Sequence, residues 1–133
     1  MNAHQLELQV LVIGLDPHPM SGRSDPAPVA QSIQTGMDEL VEHGIGTQSC
    51  LFGLDGRDNP EELITTALRG QPWRCVIIGI GLRKADDELV PFERIVNLVR
   101  HHAPHAAIAF NATIPEFYTA AARWIDVADK PIA

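Results

Sequence analysis

Two segments of this chain are apolar at every residue instead of every second one: Val10-Leu11-Val12-Ile13, closed by Gly14, and Cys75-Val76-Ile77-Ile78, running on through Gly79 to Ile80. A strand points successive side chains to opposite faces, so a run with no polar alternates needs cover on both faces. A parallel sheet with helices on either side supplies that cover. The two runs therefore predict neighbouring strands at the centre of such a sheet.

The intervening segments fit this scheme. Val29, Ile33, Met37, Leu40 and Val41 recur at helical spacing up to Gly44, with Ser24 or Asp25 as cap and Pro26 in the first turn. Gly46 to Gly53 is less apolar and predicts an edge strand. Asn59-Pro60-Glu61-Glu62 combines a cap, a first-turn proline and acids on the positive end of the dipole, opening a helix with Leu63, Ile64, Ala67 and Leu68 inward. Pro91 opens a third helix carrying Phe92, Ile95, Val96 and Val99, and Ala106 to Phe110 predicts a fourth strand. Thr113 and Pro115 begin a last helix that packs Phe117, Tyr118, Ala121, Trp124 and Ile125 inward. The order β-α-β-α-β-α-β-α predicts the α/β class. It implies one domain over residues 1–133, a three-layer α/β/α sandwich around a four-stranded parallel sheet. Flavodoxin-like strand order 2-1-3-4 puts the two apolar runs in the middle, and order 3-2-1-4 is the alternative.

Charge narrows the partners. Seventeen acidic against ten basic residues leave a formal charge of −7, and the basic residues cluster only at Arg83-Lys84, so nucleic acid and anionic membrane are not expected partners. Met1 to Gln9 lacks the layout of a secretory signal, and no apolar run approaches the roughly 20 residues that span a bilayer. A cytoplasmic protein is expected, with Cys50 and Cys75 serving as small buried hydrophobes.

In open α/β sheets ligands bind beyond the carboxyl ends of the strands, where neighbouring connections depart in opposite directions. Here that point falls between the first and third strands. The loop after the first strand holds Asp16, His18, Ser21 and Arg23. The loop after the third holds Gly79, Gly81, Arg83 and Lys84, while Asn111 and Thr113 follow the fourth strand and Asp55 and Arg57 the second. Arg83 could grip a carboxylate or phosphate through its planar fork, helped by backbone N–H groups at Gly79 and Gly81. Asn111 could orient the ligand, and Asp16 or His18 could act as acid or base. Each has a plainer reading: a salt bridge from Arg83 to Asp16, Asp86 or Asp87, a turn at Asp16-Pro17, a solvated His18, and glycines chosen for tight packing.

Other motifs are incomplete. Gly79-x-Gly81 has Lys84 where a dinucleotide fingerprint needs its third glycine, and the next long helix is predicted only at Pro91. Ser21 lacks a nucleophile elbow, and Cys50 to Arg57 is one residue too long for a C-x5-R phosphate loop. His101, His102 and His105 fall on the opposite rim, where cations meet the negative end of a helix dipole, so no metal site is expected there. No cofactor is expected either.

The stretches Val76-Ile77-Ile78-Gly79-Ile80-Gly81-Leu82-Arg83, Phe92-Glu93-Arg94-Ile95-Val96-Asn97, Ala103-Pro104, Phe110-Asn111 and Arg123-Trp124 cover roughly the carboxyl-terminal half. Together they resemble an uncharacterised group of small bacterial Rossmann-like or flavodoxin-like α/β proteins. That resemblance implies the fold and carries no established activity. The residues themselves predict a small enzyme or ligand-binding domain for a compact anionic or polar metabolite, with hydrolase or lyase chemistry ahead of redox chemistry. A homodimer would cover the open crevice. The alternatives are a non-catalytic oligomerising or interaction module and a nucleotide-binding protein. Convergence of Asp16, His18, Arg83 and Asn111 on one pocket is what separates catalysis from the rest.

Overall fold

A computed structural model of the chain describes residues 7–17, 26–53, 58–84 and 89–126. In chain order the elements are β1 (Leu8–Leu15), α1 (Ala27–Glu42), β2 (Gly46–Phe52), α2 (Pro60–Arg69), β3 (Cys75–Ile78), α3 (Gly81–Lys84), α4 (Leu89–His102), β4 (Ala107–Phe110) and α5 (Phe117–Ala122). The sheet runs β2-β1-β3-β4, the flavodoxin-like order, and every pairing is parallel. Val10 stands opposite Cys75 and Ile13 opposite Ile78, so the two apolar runs lie side by side at the centre. Their eight residues are at most 2% exposed, and each buried aliphatic side chain contributes roughly 1.5–3 kcal/mol.

Successive strand residues feed two separate cores. Val10, Val12, Cys75, Ile77 and Ala109 pack beneath α1 and α5, with Leu40, Phe117 and Ala121 above them. Leu11, Ile13, Val76 and Ile78 pack beneath α2 and α4, against Ile64, Leu68, Ile95 and Val99. Both cysteines are free and buried. Burial pushes the Cys75 thiol up to about 12, the nearby charges of Arg123 and Arg74 only partly opposing it.

The helix boundaries follow local chemistry. Asn59 caps α2 by accepting from the Glu62 N–H at 3.1 Å. Gly44, with φ +77°, turns the chain out of α1 in the left-handed region that glycine tolerates. The helix α4 begins at Leu89 instead of Pro91, which leaves the proline in the first turn, where its missing donor costs little. The short α3 was not apparent in the sequence and buries Leu82.

Three residues expected to pack inward are exposed: Val41 by 40%, Leu63 by 41% and Trp124 by 63%. Val41 and Leu63 each adjoin a fully buried neighbour, Leu40 and Ile64, and a one-residue step around a helix of 3.6 residues per turn swings them toward solvent. Trp124 lies past the end of α5, so helical periodicity no longer governs it. Among the described residues no helix is long and apolar enough to cross a membrane.

Candidate functional site

Beyond β1 the chain leaves through α1 to β2, and beyond β3 it leaves through α3 and α4 to β4 on the other flank. The carboxyl ends of β1 and β3 are thus left between diverging connections. A cleft of ≈ 230 Å³ opens there. Val12, Gly14 and Leu15 of β1 and Gly79, Ile80 and Gly81 after β3 form its strand side. The facing wall comes from Val29 and Ile33 of α1, Phe117 of α5, and Asn111 and Ile114 after β4. The cleft therefore belongs to the α1/α5 face of the sheet.

Gly79 is dictated by the strand approach. Its N–H donates to the Ile13 carbonyl at 2.8 Å, and a Cβ at this position would stand 3.1 Å from that same oxygen. A side chain would push β1 and β3 apart at the mouth of the cleft. Gly81 is exposed and begins α3, with Leu15 the nearest neighbour to any added Cβ, at 3.4 Å.

Arg83 is directed elsewhere. Its guanidinium Nη2 donates to the Asn111 main-chain oxygen at 3.0 Å, and Nη1 lies 3.5 Å from the Ile78 carbonyl. The same group sits 5.3 Å from the centre of the Phe110 ring, which itself packs against Phe92 of α4. Arg83 thus ties the carboxyl ends of β3 and β4 together on the α4 side and does not line the cleft. Arg123 finishes the same edge by donating to the Phe110 carbonyl at 2.7 Å.

Asp16 is half-buried at the β1–β2 side of the rim, its N–H donating to the Phe52 carbonyl at 2.9 Å, and the cleft is lined by the next residue, Pro17. His18, Ser21 and Arg23 lie outside the described residues, as do Asp55, Arg57, Asp86 and Asp87. The structure accordingly brings Gly79, Gly81 and Asn111 to one cleft and keeps Asp16 and Arg83 off its walls. His101 and His102 end α4 with their rings 4.7 Å apart, and His105 precedes β4, all at the opposite rim.

Asn111 is the polar feature of the cleft and is 2% exposed. Its Nδ2 donates to the Thr113 carbonyl at 2.9 Å and the Ile114 carbonyl at 3.1 Å, folding the chain back over the end of β4. That turn is set up by Glu116, whose Oε1 accepts from the N–H and hydroxyl of Thr113. Two carbonyl partners fix the orientation of the amide, because flipping it would set oxygen against oxygen. The Asn111 Oδ1 atom is buried and has no hydrogen-bond partner among the described residues.

A larger cleft, ≈ 440 Å³, lies between α2 and α4, with Ile64, Leu82, Ile95 and Leu98 at its base. Its rim carries the exposed Glu61–Arg94 pair, 3.7 Å apart, and no unsatisfied buried polar atom reaches it among the described residues. Size favours this groove as a ligand site; the divergence of the connections beyond β1 and β3 and the buried Asn111 amide in the wall favour the smaller cleft.

The sequence points to Asn111, Gly79 and Gly81 at the cleft, whereas its apolar walls look like core residues in the sequence. Val29, Ile33 and Phe117 have the composition of packed residues, and no local signal distinguishes a filled interface from one with a gap. Comparison with protein-family models, with curated proteins and with solved structures gives no match to this chain.

Proposed function

We propose that this protein binds a small molecule in the cleft between the carboxyl ends of β1 and β3. The observation that carries the reading is a concave, apolar-walled space at the one place where the sheet's connections diverge, with a buried amide of Asn111 in its wall. Among the described lining residues none is titratable or nucleophilic, which favours recognition over hydrolysis or lysis. Arg83, occupied with main-chain oxygens, is removed from the ligand-holding role in this reading. The resemblance noted in the carboxyl-terminal half supports the same fold and adds no chemistry. The net charge of −7 supports a soluble domain.

The test is a fragment screen followed by amide NMR on the labelled protein. Binders should perturb Gly14, Gly79, Gly81 and the Asn111 side-chain amide together. Val29→Trp, which fills the cleft from α1, should abolish those shifts without unfolding the protein. Hits confined to the α2/α4 groove, or cleft hits indifferent to Val29→Trp, would refute the assignment.

A further inference from the structure

We infer that the ligand of this cleft is a neutral, largely apolar molecule that presents a single N–H or O–H donor to Asn111 Oδ1. This rests on the proposed function and specifies its ligand class. The Asn111 side chain spends both amide hydrogens on Thr113 and Ile114, so only its acceptor remains. At the planar Cγ the oxygen points away from the turn that Nδ2 closes, and because Oδ1 is shielded in this conformation a ligand donor reaches it only as the cleft wall beside Asn111 gives way. An unsatisfied buried acceptor is a standing cost to the fold, and a donor brought by the ligand removes it.

The walls define the remainder of the molecule. Ile33, Ile80, Ile114 and Phe117 offer aliphatic and aromatic contact, and none of the described lining residues is a cation. A carboxylate or phosphate at this depth would lose its hydration and meet the partial negative charge of Oδ1. The compact anion suggested by Arg83 in the sequence is therefore disfavoured in this cleft. A volume of ≈ 230 Å³ falls below the usual range of about 300–1,000 Å³ for drug-sized ligands. The occupant is a fragment-sized molecule, or one ring of a larger molecule whose remainder extends into solvent.

The experiment varies the ligand and leaves the protein intact, because replacing Asn111 would also open its turn. Indole and 1-methylindole, phenol and anisole, and 2-pyridone and its N-methyl derivative are titrated by amide NMR, with benzoate and phenyl phosphate alongside. In cleft-binding pairs the donor-bearing member should bind about tenfold more tightly, and its binding should shift the Asn111 side-chain amide signals. Equal affinity within the pairs, tighter binding of the methylated members, or cleft occupancy led by benzoate or phenyl phosphate would overturn the ligand class while leaving the cleft as a site. Should none of the six neutral probes enter the cleft although the wider fragment screen fills it, the ligand class is again overturned. An empty cleft in both experiments overturns the proposed function as well.

Discussion

Replacing Gly36 by alanine sets helix propensity against packing at a single atom. Gly36 is buried in α1 where that helix crosses the start of α5, and an added Cβ would stand 2.7 Å from Phe117 Cδ2 and 2.8 Å from the Pro115 carbonyl oxygen. In an isolated helix the change would stabilise by about 1 kcal/mol. Here the Phe117 ring, which borders the cleft, can give way toward that space, but the Pro115 oxygen is main chain and cannot turn aside. Overpacking of this kind costs roughly 1–3 kcal/mol; a main-chain contact this short puts the cost in the upper part of that range, and subtracting the helix gain of about 1 kcal/mol leaves a net loss of about 1–2 kcal/mol. Urea unfolding followed by the fluorescence of Trp73, which is buried between α2 and the sheet, should show a midpoint lowered by about 0.5–1 M. Thr35→Ala, one residue earlier and exposed, is the control and should raise the midpoint slightly. Because Phe117 also lines the cleft, Gly36→Ala should weaken ligand binding too. An unchanged or raised midpoint for Gly36→Ala would show that the two elements separate freely, and the packing argument would fail.

Arg83→Ala should lower stability by roughly 1.5–3 kcal/mol through loss of its bond to the Asn111 carbonyl and its stacking on Phe110, with Arg83→Lys recovering part; a melting temperature equal to wild type would contradict this. Asn111→Asp replaces a double donor by an acceptor facing the Thr113 and Ile114 oxygens, which raises the folded-state pKa of the new carboxyl above its unfolded value of about 3.9. Its contribution is then retained below that value and lost as pH rises, so urea midpoints should fall further behind wild type at pH 7 than at pH 3.5, and a deficit independent of pH would count against it. For Cys75, raised from 9.0 to about 12, the unfolded chain releases the proton first as pH climbs. Wild-type stability should therefore decline above pH 9 by about 1.4 kcal/mol per pH unit relative to Cys75→Ala; parallel pH profiles for the two proteins would exclude the buried thiol as the cause.

What the sequence determined by itself was the sheet and its centre. Runs such as Val10–Ile13 and Cys75–Ile78 leave no polar face to hydrate, so burial on both sides, parallel pairing and helical cover follow from the residues alone, and the strand order follows from which strands can least tolerate an edge. The crevice location came with that order. What only the tertiary structure decided was the direction of each side chain at the rim. Arg83 and Asn111 are both polar residues just beyond strand ends, and nothing local separates them. In the folded chain Arg83 turns to the α4 side and meets two carbonyl oxygens, while Asn111 lines the α1/α5-side cleft and its Oδ1 has no partner among the described residues. Those choices depend on which carbonyls a neighbouring strand leaves open and on how closely α1 and α5 approach. The same holds for the cleft walls: Val29, Ile33 and Phe117 are apolar in either case, and whether they touch or leave a gap is set by helix separation, which no short stretch of sequence encodes.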